Sequence, residues 1–185
     1  MAEPGAPSGA DPEVAARLKA RIRDIPDFPQ KGIVFKDLTP LLRDPETLRL
    51  SCETIAERHR GRGVTVVCGM EARGFVFGAV VAHLLRVGFV PLRKPGKLPH
   101  EKRSVSYALE YGTAELEIHR DAVGAGDRAL LVDDLLATGG TMAASVSLVE
   151  SLGARVVACA FVVELAFLGG RAKLAPHEVS ALVEY

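Results

Sequence analysis

The strongest chemical signal in this 185-residue chain is the run Leu130-Leu131-Val132-Asp133-Asp134-Leu135-Leu136-Ala137-Thr138-Gly139-Gly140-Thr141. An apolar strand leads into two carboxylates, then into a Thr-Gly-Gly-Thr loop and a helix. Ligands of parallel sheets bind beyond the carboxyl ends of the strands. Gly139 and Gly140 let backbone N–H groups converge on an anion, and the helix start adds the positive end of its dipole. Thr138 and Thr141 supply hydroxyl donors. The run reads as a phosphate cradle, but not as a P-loop, because no Gly-Lys-Ser/Thr stands at the required spacing. Asp133 and Asp134 would repel a phosphate unless they hold something else. The vicinal hydroxyls of a ribose, or a magnesium ion reached through water, suit them. Taken singly, Asp-Asp is a solvated strand end and Gly-Gly a flexible turn; the order of the two at a strand-to-helix crossing carries the signal. His59, His83, His119 and His177 show no ligand spacing, and no Ser-His-Asp or Cys-His arrangement stands out.

Such residues need strands alternating with helices, and the apolar pattern supplies them. Asp11 as cap, Pro12 in the first turn, and Val14, Leu18, Ile22 and Ile25 on one face predict a helix ended by Pro26 and Pro29. Asp44 and Pro45 open a second helix, with Leu48, Cys52, Ile55 and Ala56 on its apolar side. Val64–Cys68, Phe89–Arg93, Arg128–Val132, Val156–Val163 and Val179–Val183 read as strands. Gly74–Leu85 and Thr141–Leu152 read as helices, the latter closed by Gly153, and Gly169–Leu174 as a short one. Ser104–Tyr111 and Thr113–His119 alternate in polarity around Gly112, an antiparallel hairpin inserted into a sheet that does not need it. The fold class is α/β, with a mainly parallel central sheet flanked by helices.

Composition bounds the rest. Hydrophobic residues make up 48% and charged residues 25%, ordinary for a globular chain of one domain. Residues 1–12, with three Pro, two Gly and three Ala, read as a disordered tail, leaving 13–185 as the domain. Lys plus Arg (23) balances Asp plus Glu (23), so bulk electrostatics favours neither nucleic acid nor a membrane surface. Cys52, Cys68 and Cys159 are far apart and unpaired in pattern, which indicates neither a disulfide framework nor a zinc site and fits reduced core thiols. The stretch Val156–Leu168 contains Glu164 and is too short to span a bilayer, and no signal peptide is legible. A cytoplasmic protein is expected.

The Asp133–Thr141 run resembles the signature with which type I phosphoribosyltransferases hold phosphoribosyl pyrophosphate (PRPP). Further blocks narrow the resemblance to the adenine phosphoribosyltransferase family. They are Phe28-Pro29-Gln30-Lys31-Gly32-Ile33-Val34-Phe35-Lys36-Asp37-Leu38-Thr39-Pro40-Leu41-Leu42, Gly69-Met70-Glu71-Ala72-Arg73-Gly74-Phe75, Arg93-Lys94-Pro95-Gly96-Lys97-Leu98-Pro99 and Tyr107-Ala108-Leu109-Glu110-Tyr111-Gly112. They stand in the family's order from about Val14 onward. The resemblance implies an N-terminal base-binding lobe, a hairpin flap, and transfer of the phosphoribosyl group of PRPP to adenine with Mg2+, giving AMP and pyrophosphate.

Residue roles follow from the same resemblance. Ala137, Thr138, Gly139, Gly140 and Thr141 wrap the 5′-phosphate, and Asp133 and Asp134 face the ribose hydroxyls. Glu71, Ala72 and Arg73, with Arg93, Lys94 and Lys97, meet pyrophosphate. The Glu71–Ala72 bond tends to be cis in relatives, and Ala72 stands where they often have Ser. Phe28, the backbone of Val34 and Lys36, and Leu165 meet adenine; read without the family, Phe28, Val34 and Phe35 are plain core residues. Glu110 matches an acidic flap residue that handles a proton near N7 or N9, or else is an exposed strand acid among Glu110, Glu115 and Glu117. Tyr107 and Tyr111 belong to the flap. Arg93, Lys94, Lys97, Lys102 and Arg103 form either a solvated basic loop or a pyrophosphate clamp. In relatives that loop covers the other subunit's site, so a homodimer is implied. The alternatives are a phosphoribosyltransferase for another purine, whose O6 accepts where adenine donates, and a PRPP-binding regulator without catalysis.

Overall fold

Asp11 accepts the backbone N–H groups of Glu13 (2.9 Å) and Val14 (3.5 Å), and Pro12 sits in the first turn, so α1 (Pro12–Lys19) begins where capping chemistry places it. The computed structural model describes residues 11–108 and 113–185. The expected tail boundary at residue 12 thus falls inside the first turn of α1. This helix is also shorter than its apolar spacing predicts. Ile22 and Ile25 lie beyond it, and Arg23–Pro26 forms β1, antiparallel to β2 (Val34–Asp37), with Asp24 opposite Lys36 and Pro26 opposite Val34. The ladder offered by β2 satisfies backbone groups that a longer helix would have satisfied within itself, and a helical-period reading cannot see that partner. A short α2 (Thr39–Arg43) follows. Asp44 then caps α3 (Pro45–His59) through the N–H groups of Glu46 and Thr47, both at 3.0 Å.

The central sheet consists of β3 (Val66–Met70), β4 (Gly88–Leu92), β7 (Arg128–Leu136), β8 (Arg155–Glu164) and β9 (Val179–Glu184). Its order is β4-β3-β7-β8-β9, with every pairing parallel. Between them run α4 (Arg73–Leu85), α5 (Gly140–Ser151) and the antiparallel hairpin β5 (Lys102–Ala108) and β6 (Thr113–His119). Alternate strand residues feed two cores. Val67, Leu130, Val132, Ala158 and Ala160 pack with α1, α3 and α4, while Cys68, Leu131, Cys159 and Phe161 pack with α5 and the hairpin. Each fully buried Leu, Ile or Phe in these cores contributes about 1.5–3 kcal/mol.

The hairpin is more than an insertion. Leu116 and Ile118 of β6 are buried in the α5-side core, so its root is part of the fold. Cys52, Cys68 and Cys159 are free and buried, and burial pushes their thiols up to about 12. Among the described residues, no helix is long and apolar enough to cross a membrane.

Candidate active site

The parallel sheet decides where ligands gather. β7 runs through Leu136, so Asp133 and Asp134 are strand residues rather than loop residues, with Asp133 in register with Phe161 of β8. The chain then turns through Ala137–Gly139 into α5. Gly139 takes φ +80° and caps α5 without a side-chain hydrogen bond, leaving the first-turn amides of the helix open toward the cleft. The loop is braced from behind. A Cβ on Gly170 would lie 2.1 Å from the Ala137 carbonyl oxygen, and one on Gly139 would lie 2.5 Å from the Gly170 carbonyl oxygen. Two backbones therefore touch where any side chain would force them apart. In front, the Tyr107 hydroxyl lies 3.3 Å from Thr141 Oγ1, which joins the hairpin to the cradle.

A cleft of about 380 Å³ opens on these residues and on the turn Glu71-Ala72-Arg73 after β3. The Glu71–Ala72 bond is cis, as the family resemblance implied. Arg73 donates from Nε to Asp134, a carboxylate that is only 5% exposed. Its guanidinium also lies 5.8 Å from the centre of the Phe35 ring. Asp133 is held well above the usual carboxylate range, first by burial and then by the neighbouring charge of Asp134. Glu71 is held below its usual range, chiefly by Arg93, whose Nε and Nη2 donate to it at 3.1 and 3.3 Å. The backbone N–H of Lys94 adds a third bond to Glu71 at 3.2 Å. Lys94 and Lys97 are exposed, and neither makes a salt bridge among the described residues.

The base side is built from more distant pieces. β2 pairs only with β1, so its outer edge keeps backbone groups free for a ligand. Phe28 and Val34 are 52% and 49% exposed, which separates them from the plain core residues they resemble in composition. Phe28 meets Phe35 edge-on at 5.2 Å. The Lys36 side chain turns away, donating to Asp24 at 2.7 Å and lying 3.9 Å from the centre of the Tyr185 ring, so only its backbone is left for a base. Leu165 is brought to the same end of the sheet by its N–H bond to the Leu136 carbonyl (2.9 Å). Glu110 and Tyr111 lie outside the described residues.

Three residues of consequence escaped the sequence reading. Gly170 gives a faint signal, as half of a Gly-Gly pair after a strand. Tyr185 gives none. Glu117, which enters the sequence reading only as a neighbour in the alternative given for Glu110, is buried, with its carboxylate bonded to Lys102 Nζ (3.0 Å) and to the Gly96 N–H (3.2 Å). Its sequence neighbours Leu116 and Ile118 face the core, and alternation would have put it in solvent. The basic loop folding over that face removes it from water.

Comparison with known proteins bears on this geometry. A profile described as the phosphoribosyl transferase domain matches residues 38–179. The adenine phosphoribosyltransferase of Nitrosococcus oceani is 62% identical over 169 residues, covering 91% of this chain and 99% of that protein. The chain belongs to the adenine phosphoribosyltransferase family. The crystal structure of the family member from Thermoanaerobacter pseudethanolicus superposes with a TM-score of 0.90 at 53% identity, covering 92% of this chain and 99% of that one. The Saccharomyces cerevisiae member, solved with an iminoaltritol bisphosphate and adenine, gives a TM-score of 0.87 at 40% identity over 92% of this chain and 98% of its own. The type I phosphoribosyltransferase fold, with its parallel five-stranded sheet, is thus the family's fold.

Proposed function

We infer that this chain transfers the phosphoribosyl group of PRPP to adenine, releasing pyrophosphate and forming AMP, a purine-salvage reaction. The observation that carries this is the single cleft lined at once by Asp133, Asp134, the 137–141 loop and the Glu71–Arg73 turn. A 5′-phosphate fits the amide-rich start of α5, the ribose hydroxyls fit the two carboxylates, and pyrophosphate fits Arg73 with the loop of Arg93, Lys94 and Lys97. Adenine then lies against Phe28, Val34 and Leu165, with its Watson–Crick edge toward the backbone of Val34 and Lys36. The C1′–oxygen bond to pyrophosphate breaks, the N9–C1′ bond forms, and the N9 proton passes to a base. Glu110 is assigned that proton on the family resemblance alone.

The chain's own groups set the timing. Asp133 and Asp134 orient the sugar and oppose positive charge growing on an oxocarbenium-like centre. Arg73, freed from Asp134 by substrate, stabilises charge on the departing pyrophosphate. Tyr107 ties the hairpin to the site through Thr141, the family resemblance assigns Tyr111 to the same flap, and a closed flap keeps water from the cationic centre. Among the described residues, no three His, Cys, Asp or Glu side chains converge on a metal position. The pair Asp133 and Asp134 suits a magnesium ion held mainly by PRPP oxygens and water. Its chemistry there is neutralisation of pyrophosphate charge.

A homodimer is supported by Val76 and Val80, apolar yet 41% and 37% exposed on α4 in the single chain. The cytoplasm is supported by three buried thiols free of disulfides. The decisive assay is AMP formation from adenine, PRPP and magnesium, with guanine and hypoxanthine in parallel. Turnover with adenine alone is expected. Preference for another purine overturns the base half of the reading, and tight PRPP binding without turnover overturns catalysis.

A further inference from the structure

Glu117 is a buried carboxylate outside the lining of the cleft, and its contacts converge on one loop. Its side chain is enclosed, and it answers two donors, Lys102 on the opposite hairpin strand (2.9 Å to Oε1) and the Gly96 N–H at the turn of the basic loop (3.2 Å). Its backbone exchanges two hydrogen bonds with Arg93, at 2.9 and 2.8 Å. Arg93 in turn bonds Glu71 through its guanidinium and the Lys97 carbonyl through Nη1 (3.2 Å). The segment from Arg93 to Lys97 is thus fixed on one side by Glu71, in the turn after β3, and on the other by Glu117, in the hairpin. Leu98 is buried immediately behind it. Both carboxylates are spent on the loop's backbone and inner cations, so the exposed ammonium groups of Lys94 and Lys97 are held outward without being neutralised.

We propose that Glu117 is a positioning residue that fixes the 93–97 loop for pyrophosphate, acting through Gly96, Arg93 and Lys102 rather than by touching the ligand. This rests on the reading of that loop as the pyrophosphate-binding element. A buried carboxylate bonded to a cation and to an amide is costly to replace. Glutamine keeps the shape but turns an N–H2 group toward Lys102 or Gly96, so one donor loses its acceptor. The loop is then free to leave the cleft, while the 137–141 cradle and the β2 edge keep their own supports.

The test measures the dissociation constant of pyrophosphate, the KM for PRPP, and the dissociation constant of AMP, in Glu117→Gln and in Lys94→Ala/Lys97→Ala. AMP meets the cradle and the base lobe but not the loop. Glu117→Gln is expected to weaken pyrophosphate and to raise the PRPP KM by about tenfold, the loss of one charge-assisted hydrogen bond, with AMP affinity unchanged. An equal loss of AMP affinity overturns the proposal by showing general damage. Unchanged pyrophosphate affinity in Glu117→Gln, with a loss in the double lysine variant, overturns it and leaves the loop's role standing. No pyrophosphate effect in the double lysine variant overturns the loop reading and the proposal with it. Lys102→Met, at the solvent end of the same pair, is measured alongside, so that the comparison survives if Glu117→Gln does not fold. The same split between pyrophosphate and AMP is expected of it, and its absence there counts as failure.

Discussion

The phosphate side and the base side of the cleft are built by opposite strategies. On the phosphate side, nine consecutive residues from Asp133 to Thr141 supply carboxylates, hydroxyls and amides from one strand, one loop and one helix start. They sit at the middle of the sheet and are backed by Gly170. On the base side, Val34 and Lys36 come from a two-stranded ladder, Phe28 from the turn that joins its strands, and Leu165 from the residue just after β8. Phe28 and Val34 stay half-exposed, and the ladder is tied to the rest by reach rather than by burial: Arg73 to Phe35, and Lys36 to Tyr185. A charged group of fixed shape is held by rigid backbone dipoles, which need core support. A flat aromatic base is held by edges and faces, which a peripheral lobe can supply.

The largest effect should come from the carboxylates. Asp133→Asn/Asp134→Asn should lower kcat/KM for PRPP by at least about 100-fold, two charge-assisted contacts being lost. Equilibrium binding of adenine should be little changed, and unchanged PRPP kinetics would remove both residues from the site. Next is Gly170→Ala, which the contact with the Ala137 carbonyl cannot accommodate without moving the loop. Overpacking of this kind costs about 1–3 kcal/mol, so the PRPP KM should rise about tenfold while adenine binding holds. A matching rise for adenine would mean that the two sides are not independent.

Tyr185→Ala probes the other side. The ring faces Lys36 at 3.9 Å and Lys19 at 4.9 Å, and such contacts are worth about 0.5–1 kcal/mol at exposed sites. The adenine KM should rise about threefold to fivefold with PRPP unaffected. The smallest effect distinguishes the carboxylates of the two sides. Asp37, the last residue of β2, is held below its usual range chiefly by the Thr39 hydroxyl, whereas burial and Asp134 hold Asp133 above it. A raised folded-state value means that Asp133 stabilises fully below the ordinary carboxylate value and that this stability is lost as pH rises through the folded one. Asp133→Asn, which never ionises, should therefore raise Tm at pH 7.5, and the gain should shrink as pH falls and the wild-type carboxyl takes up its proton. Asp37 contributes the opposite sign, with stability present above the ordinary carboxylate pKa and lost as acid protonates it. Asp37→Asn should accordingly lower Tm slightly at pH 7.5. A gain from both variants would erase the contrast between the two sides.

This contrast also sets what could be read from the chain. The cradle was legible because its chemistry is contiguous: a strand pattern, Asp-Asp, Thr-Gly-Gly-Thr and a helix pattern lie in one line of text. The cis Glu71–Ala72 bond and the Arg73 turn were legible through the family blocks. The base lobe was legible only by resemblance, since Phe28 and Val34 have core composition and only their exposure in the folded chain marks them otherwise. The first helix is shorter than its spacing predicts because that spacing continues through Ile25, while the strand that claims residues 23–26 arrives eight residues later.

The sequence by itself determined the parallel α/β order, the reduced cysteines, the absence of a bulk charge toward nucleic acid, and the strand-loop-helix cradle. Each of these is a property of composition or of neighbours along the chain. Tertiary structure alone decided that Gly170 braces the cradle from 31 positions beyond Gly139, that Tyr185 closes on Lys36, and that Glu117 is a buried tie rather than a surface acid. These depend on which segments the sheet order brings within a few ångströms. Local periodicity is blind to that distance, because the hydrogen bonds and contacts involved join residues with no fixed spacing in the chain.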